Sequence, residues 1–145
     1  MNELTIHLAL DKKETVPGQL PEATLVLSNE GSSELLVNAR MLLVPGETPE
    51  RIGEVVFRIA GPPGSISLKT FQVNAGAARR EDFARLRPGE SVVRSYPLEK
   101  YFRYTNPGSY RVTATYRNML RVNDGELTAW TGSLTSNEQH FDIKA

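Results

Sequence analysis

Residues 106–116 read NPGSYRVTATY, a turn signal followed by Tyr110, Val112, Ala114 and Tyr116 alternating with Arg111, Thr113 and Thr115. Two-residue alternation of this kind marks a strand with one face in a core and the other in solvent. The stretch runs on as RNMLRV to residue 122, meets NDG at 123–125 and returns as ELTAWTGSLTSN. Asp124-Gly125 is a tight-hairpin signal. The reading is therefore a long strand and its return, forming a hairpin that projects past the body of the fold.

The same period recurs on either side. Leu4, Ile6 and Leu8 alternate with Thr5 and His7, and Ala23, Leu25 and Leu27 with Thr24, Val26 and Ser28. Val55, Phe57 and Ile59 make a third set, Ile66 and Leu68 a short run, and Phe141 and Ile143 a last strand. Stretch 35–44, LLVNARMLLV, is apolar nearly throughout and reads as a central strand covered on both faces. Five of nine prolines precede glycine, at 17–18, 45–46, 63–64, 88–89 and 107–108. Proline presets φ for the second residue of a β-turn, and glycine accepts the positive φ that follows in type II. Punctuation spread along the whole chain suits short strands. The best helical alternative is 76–86, GAARREDFARL, where Glu81 and Arg85 could pair at i,i+4, and a short turn is expected around 98–104.

Composition sets the outer limits. The chain has 145 residues, 39% hydrophobic and 23% charged, the balance of one globular domain spanning 1–145. Lys plus Arg equals Asp plus Glu at 17 each, so no global field favours nucleic acid or an anionic membrane. The absence of cysteine excludes disulfides, thiolate metal sites and cysteine nucleophiles. The start, MNELTIHLALDKKE, has no basic leader with an unbroken apolar run behind it, and the expected compartment is the cytoplasm.

LRPGESV at 86–92, SYPLEKYFRY at 95–104 and NPGSYRVTATY resemble the C-terminal half of immunoglobulin-like sandwiches, where the chain leaves strand E, turns a corner and enters strand F. Tyr110 stands where that family places its corner tyrosine, whose hydroxyl bonds backbone a few residues upstream. Val112 replaces the cysteine of antibody domains. The wider pattern, L-x-P-G-E, then P-G-x-Y-x-V-x-A-x-Y, then W-x-G-x-L-x-S-N, looks like bacterial immunoglobulin-like domains. It is also loosely similar to intracellular proteinase inhibitors of bacilli and to accessory sandwiches of deuterolysin-type proteases. The resemblance implies an all-β, antiparallel immunoglobulin-like β-sandwich of about eight strands with an extended F–G hairpin. Leu86, Pro88, Gly89, Pro107, Gly108 and Tyr110 become its structural residues, and the excess length falls at 45–53 and 61–82.

No catalytic constellation emerges. Nucleophile-elbow, phosphate-loop and HExxH motifs are absent, and the prolines of GPPG at 61–64 remove the N–H groups a phosphate cradle needs. His7 and His140 lie on terminal strands with no carboxylate in ligand spacing, and read as solvated rather than as a metal pair. Glu81, Asp82 and Glu90 stand among Arg79, Arg80, Arg85 and Arg87, a salt-bridged surface rather than paired catalytic acids. No enzyme activity, metal or cofactor is expected.

The expected role is a protein-interaction module, its partner bound through the F–G hairpin. Leu120, Val122 and Leu127 share one face of the tip on this register, with Met119 near Trp130 on the other and Arg117 and Arg121 alongside. These apolar side chains either pack on the 61–82 insertion or form an exposed patch. The Arg group at 79–87 is a second candidate surface. A homodimer through edge strand 3–10 or the hairpin, an inhibitor-like or structural role, and a carbohydrate platform of Trp130, Tyr101, Phe102 and Tyr104 are the alternatives.

Overall fold

A computed structural model of the chain describes residues 3–43, 54–63, 66–68, 78–104 and 106–145. Strand segments β1 Leu4–Leu10, β2 Glu14–Thr15, β3 Glu22–Asn29, β4 Leu35–Asn38, β5 Val55–Ala60 and β6 Ile66–Leu68 come first. After a single 3-10 turn at Arg80–Asp82 follow β7 Phe83–Leu86, β8 Ser91–Pro97, a one-turn helix Leu98–Tyr101 and β9 Phe102–Tyr104. The chain ends with β10 Gly108–Asn118, β11 Asn123–Asp124, β12 Leu127–Thr128, β13 Gly132–Thr135 and β14 Gln139–Ile143. The segments outnumber the eight expected because β2, β6, β9, β11 and β12 are only two or three residues long.

The fold is all-β and sandwich-like. One layer is the antiparallel sheet β1–β3–β8. In the other, β10 is central: β5 pairs along one edge, and β14 and β13 share the opposite edge, with β2 parallel to β14 beyond. Alternation decides which side chains meet. Leu4, Leu8, Leu25 and Leu27 from the first layer join Phe57, Val112, Ala114, Tyr116 and Phe141 from the second in one buried core. Phe57 and Tyr96 bridge the layers edge to face, their centroids 5.2 Å apart.

The opening stretch is scaffold. Tyr110 is fully buried, stacks on Phe141 at 5.1 Å, and donates its hydroxyl to Asn106 O at 2.6 Å, four residues upstream. Gly61 packs so closely on the Tyr110 ring that a Cβ there would collide with it. Gly108 opens β10 rather than centring a turn. Leu86 is buried at the end of β7, and Pro88-Gly89 makes the turn into β8, with Gly89 at φ 85° where only glycine is unstrained. Gly18 plays the same part at φ 100°. Pro45-Gly46 and Gly64 lie outside the described residues, as do all of 45–53 and much of 61–82.

Three expectations change. Stretch 35–44 is not one strand over its described part, 35–43: β4 stops at Asn38, whose side-chain oxygen accepts from Arg40 N at 3.0 Å and folds the chain into a turn ending at Met41, φ 51°. Residues 76–86 do not form a helix over their described part. Asp82 Oδ2 accepts Arg79 N and caps the start of the 3-10 turn, while Asp82 O accepts Ala39 N, and 83–86 then pairs with β4 instead of continuing as helix. Glu81 and Arg85 therefore do not pair along a helix face. The strand from Tyr110 ends at Asn118, not at residue 122.

Candidate interaction surface

The turn-back between β10 and β13 does not project. Its tip, β11 and β12 around Gly125, lies against β4: Leu36 bridges Ala129, and Trp130 N donates to Leu36 O at 2.8 Å. Ala129 N donates to Val122 O at 2.7 Å, closing the hairpin stem. Arg85, from β7, reaches across to it. Its Nε donates to Asp124 Oδ2 at 2.9 Å, its Nη2 to Asp124 O, and its Nη1 to Glu34 Oε1 at 3.0 Å. Arg80 Nη2 adds a bond to Asp124 Oδ1 at 3.0 Å. Hydrogen bonds from Arg85 and then Arg80 hold the Asp124 carboxyl below the usual carboxylate range. The hairpin and the Arg group at 79–87, separate candidates by sequence, thus form one clasped surface.

The clasp sorts the seven residues expected at the interface. Trp130 is half-buried, packs on Tyr116 at 5.8 Å between centroids, and belongs to the margin of the core. Val122 and Leu127 are half-buried in the hairpin, and Arg117 is half-buried on β10. Met119 and Leu120 remain open at 76% and 38% exposure, beside exposed Arg121. Because 119–122 is not strand, the expected alternation does not apply there, and Met119 stands in solvent instead of against Trp130.

What shapes this apex is a residue that alternation overlooks. Asn118 falls on the inward phase of β10 after Tyr110, Val112, Ala114 and Tyr116, and is 3% exposed. Its Nδ2 donates to Leu120 O at 2.9 Å and to Trp130 O at 2.8 Å. Both protons of one buried amide thereby fix the two sides of the turn-back. Beneath it, Asn38 Nδ2 approaches Asn118 Oδ1 at 3.4 Å and Tyr116 Oη donates to Asn38 O at 2.8 Å. A polar residue on the core phase of an apolar run was the available signal.

Deeper still, the buried Glu54 carboxylate accepts Arg40 Nε at 3.0 Å, Arg40 Nη2 at 2.6 Å and Leu42 N at 2.8 Å. The hydrogen bond to Glu54 holds the Arg40 guanidinium still more firmly protonated. Tyr96 Oη donates to Met41 O at 2.7 Å, and burial pushes the Tyr96 and Tyr116 phenols up from their ordinary range. These groups over-determine the turn at 38–42 and are tied to backbone or to one another.

The other candidates disperse. His7 sits in the first layer and His140 in the second, where His140 Nε2 lies 3.1 Å from Glu138 Oε1. Among the described residues no three His, Asp or Glu side chains gather as a metal site. Tyr101 is half-buried and Phe102 buried against the core, so neither stands with Trp130 as an open platform; the Tyr104 side chain lies outside the described residues. Edge strand β1 is stoppered at its middle: Leu8 N donates to Asn137 Oδ1 at 2.7 Å, and Asn137 Nδ2 donates back to Leu8 O at 3.0 Å. Among the described residues no helix is long and apolar enough to cross a membrane. No model of a known protein family matches the chain, and no curated protein matches it either.

Proposed function

We propose that the protein is a non-catalytic interaction module, an immunoglobulin-like domain working in a reducing compartment, that binds a protein through the apex at 117–122. One observation carries the reading: Met119 and Leu120 stand open to solvent while buried Asn118 holds the backbone beside them in one conformation. Most exposed apolar side chains need no explanation. A pair raised on a rigid turn is different, because little conformational entropy remains to be lost on docking. Methionine adapts to irregular pockets, and exposed Arg121 beside it suits an acidic rim on the partner. The tyrosine corner supports the immunoglobulin-like reading, and the lack of cysteine fits a reducing compartment. The non-catalytic reading rests on how the buried polar groups are used, in hydrogen bonds that shape the backbone.

The test is capture from host lysate by wild type and by the Met119→Glu, Leu120→Glu variant, matched for folding by circular dichroism. A partner retained by wild type and lost by the variant supports the proposal. The proposal is contradicted if every protein that wild type retains is retained equally by the variant, or if neither retains any.

A further inference from the structure

The outward side of β1, β3 and β8 has an unusual composition. Cross-strand register sets its residues in three rows of three: Thr5, Ser28 and Ser91; His7, Val26 and Val93; Ala9, Thr24 and Ser95. None is Asp, Glu, Lys or Arg. Solvent-facing surfaces ordinarily carry charge at about a quarter to a third of positions. Apart from His7 the side chains are short, and hydroxyls in neighbouring strands bond each other: Ser28 Oγ to Ser91 Oγ at 2.8 Å and Thr24 Oγ1 to Ser95 Oγ at 3.1 Å. Val93 stands 53% exposed among them on the outer strand.

Charge returns at both ends of this face, and it is acidic. Glu3 and Glu30 stand at one end, joined through Glu30 N and Glu3 O. Asp11 and Glu22 stand at the other, joined through Asp11 N and Glu22 O. All four are exposed, and none forms an ion pair with another described residue. Past Asp11 the chain leaves this layer: the carbonyl of Lys13 already bonds Asp142 N in the other sheet. A centre depleted of charge with charged residues at its margins is one feature shared with protein interfaces.

We infer that this face is a second docking surface, separate from the apex, for a protein that presents a flat uncharged patch between cationic side chains about 26 Å apart, the length of eight strand residues. Charge decides the occupant. A second copy laid on the face with strands aligned would set acid on acid, either Glu3 and Glu30 on their own equivalents or on Asp11 and Glu22. A partner with lysine or arginine at both ends meets the rim with opposite charge and the centre without an unpaired one.

The experiment uses the full chain. Proteins retained from host lysate are identified, then joined to it with a carbodiimide, which links carboxylates directly to lysines. Support is one retained protein with lysines linked both to Glu3 or Glu30 and to Asp11 or Glu22. Retention should then fall about tenfold or more with Val93→Glu, which buries a charge in the centre, and with Glu22→Lys, Glu30→Lys, which reverses the rim. The solvent-exposed positions of these changes keep the fold intact, as circular dichroism will verify. The inference is overturned if nothing is retained, if the variants retain the protein as wild type does, or if links form only through carboxylates elsewhere, such as Glu126 or Glu138. It is also overturned if sedimentation shows that the occupant is a second copy. Loss on Met119→Glu, Leu120→Glu with Val93→Glu unaffected would sink this inference and leave the apex proposal standing.

Discussion

Asn118 donates its side-chain amide to Leu120 O at 2.9 Å, although the two residues are separated only by the most exposed large apolar side chain in the described chain, Met119. A buried group therefore fixes a solvent-facing one. Asn118→Ala strips the partner from the carbonyls of Leu120 and Trp130 and leaves a cavity. The expected loss is about 1–3 kcal/mol, the cost of unsatisfied buried polar groups, read as a lower denaturant midpoint. Asn118→Asp keeps the shape but cannot donate, and should be no better. An Asp variant as stable as wild type would show that the amide bonds carry nothing.

Tyr110→Phe keeps the stack on Phe141 and removes only the hydroxyl bond to Asn106 O. The expected loss is about 0.5–1.5 kcal/mol with an unchanged m-value. A loss several times larger would mean that the corner organises more of the fold than one hydrogen bond.

Arg40→Ala leaves the Glu54 carboxylate buried without its charge partner. Removal of one member of such a pair typically costs about 3–5 kcal/mol, so this variant should be the least stable of the series. Arg40→Leu with Glu54→Leu, which removes both charges, should recover much of the loss. Equal stability of the single and double variants would contradict the pairing.

Asp124 supplies the pH dependence. Its folded pKa lies below the unfolded value because Arg85 and Arg80 hydrogen-bond to the ionised form. The clasp's contribution is thus fully present above the ordinary carboxylate pKa of about 3.9 and is lost as pH falls through the lower folded value. Protection factors for amide exchange at 123–128, each rate divided by the intrinsic rate at that pH, should be high at pH 5 and fall only in stronger acid. In Asp124→Asn that acid-dependent step should vanish. Because the ions are exposed, molar salt should weaken the clasp in wild type as well.

Much of the scaffold was legible from alternation alone. Leu4, Leu25, Phe57, Tyr110 and Phe141 all face the core, because side chains on a strand can only alternate and burial selects the apolar phase. The turn at Pro88-Gly89 followed from local φ preferences. Where tertiary bonds competed with local pattern, the sequence misled. The run 35–44 stays apolar past Asn38, yet the chain turns there because Glu54, distant in sequence, draws in Arg40 and Leu42 N. Arg85 sits at helical spacing from Glu81 but is pulled into a strand by β4.

The hairpin shows the same limit at the surface. Asp124-Gly125 marks a tight turn correctly, but nothing in periodicity says where a hairpin lies, and ion pairs with Arg80 and Arg85 bring it down onto β4. Trp130 consequently packs on the core, Val122 and Leu127 are half-buried, and the exposed set contracts to Met119, Leu120 and Arg121. The uncharged outward face is hidden in the linear sequence for a related reason. Its composition is visible only when rows from three strands, far apart in sequence, are set side by side.

The rigidity of the apex is the claim on which the proposed function depends, and NMR relaxation of the backbone amides of Met119, Leu120 and Arg121 tests it most directly. Held by Asn118, these amides should give order parameters near those of β10, about 0.85, and should fall only in Asn118→Ala. Values below about 0.6 in the wild-type protein would contradict the account, because a mobile loop would present no fixed surface to a partner.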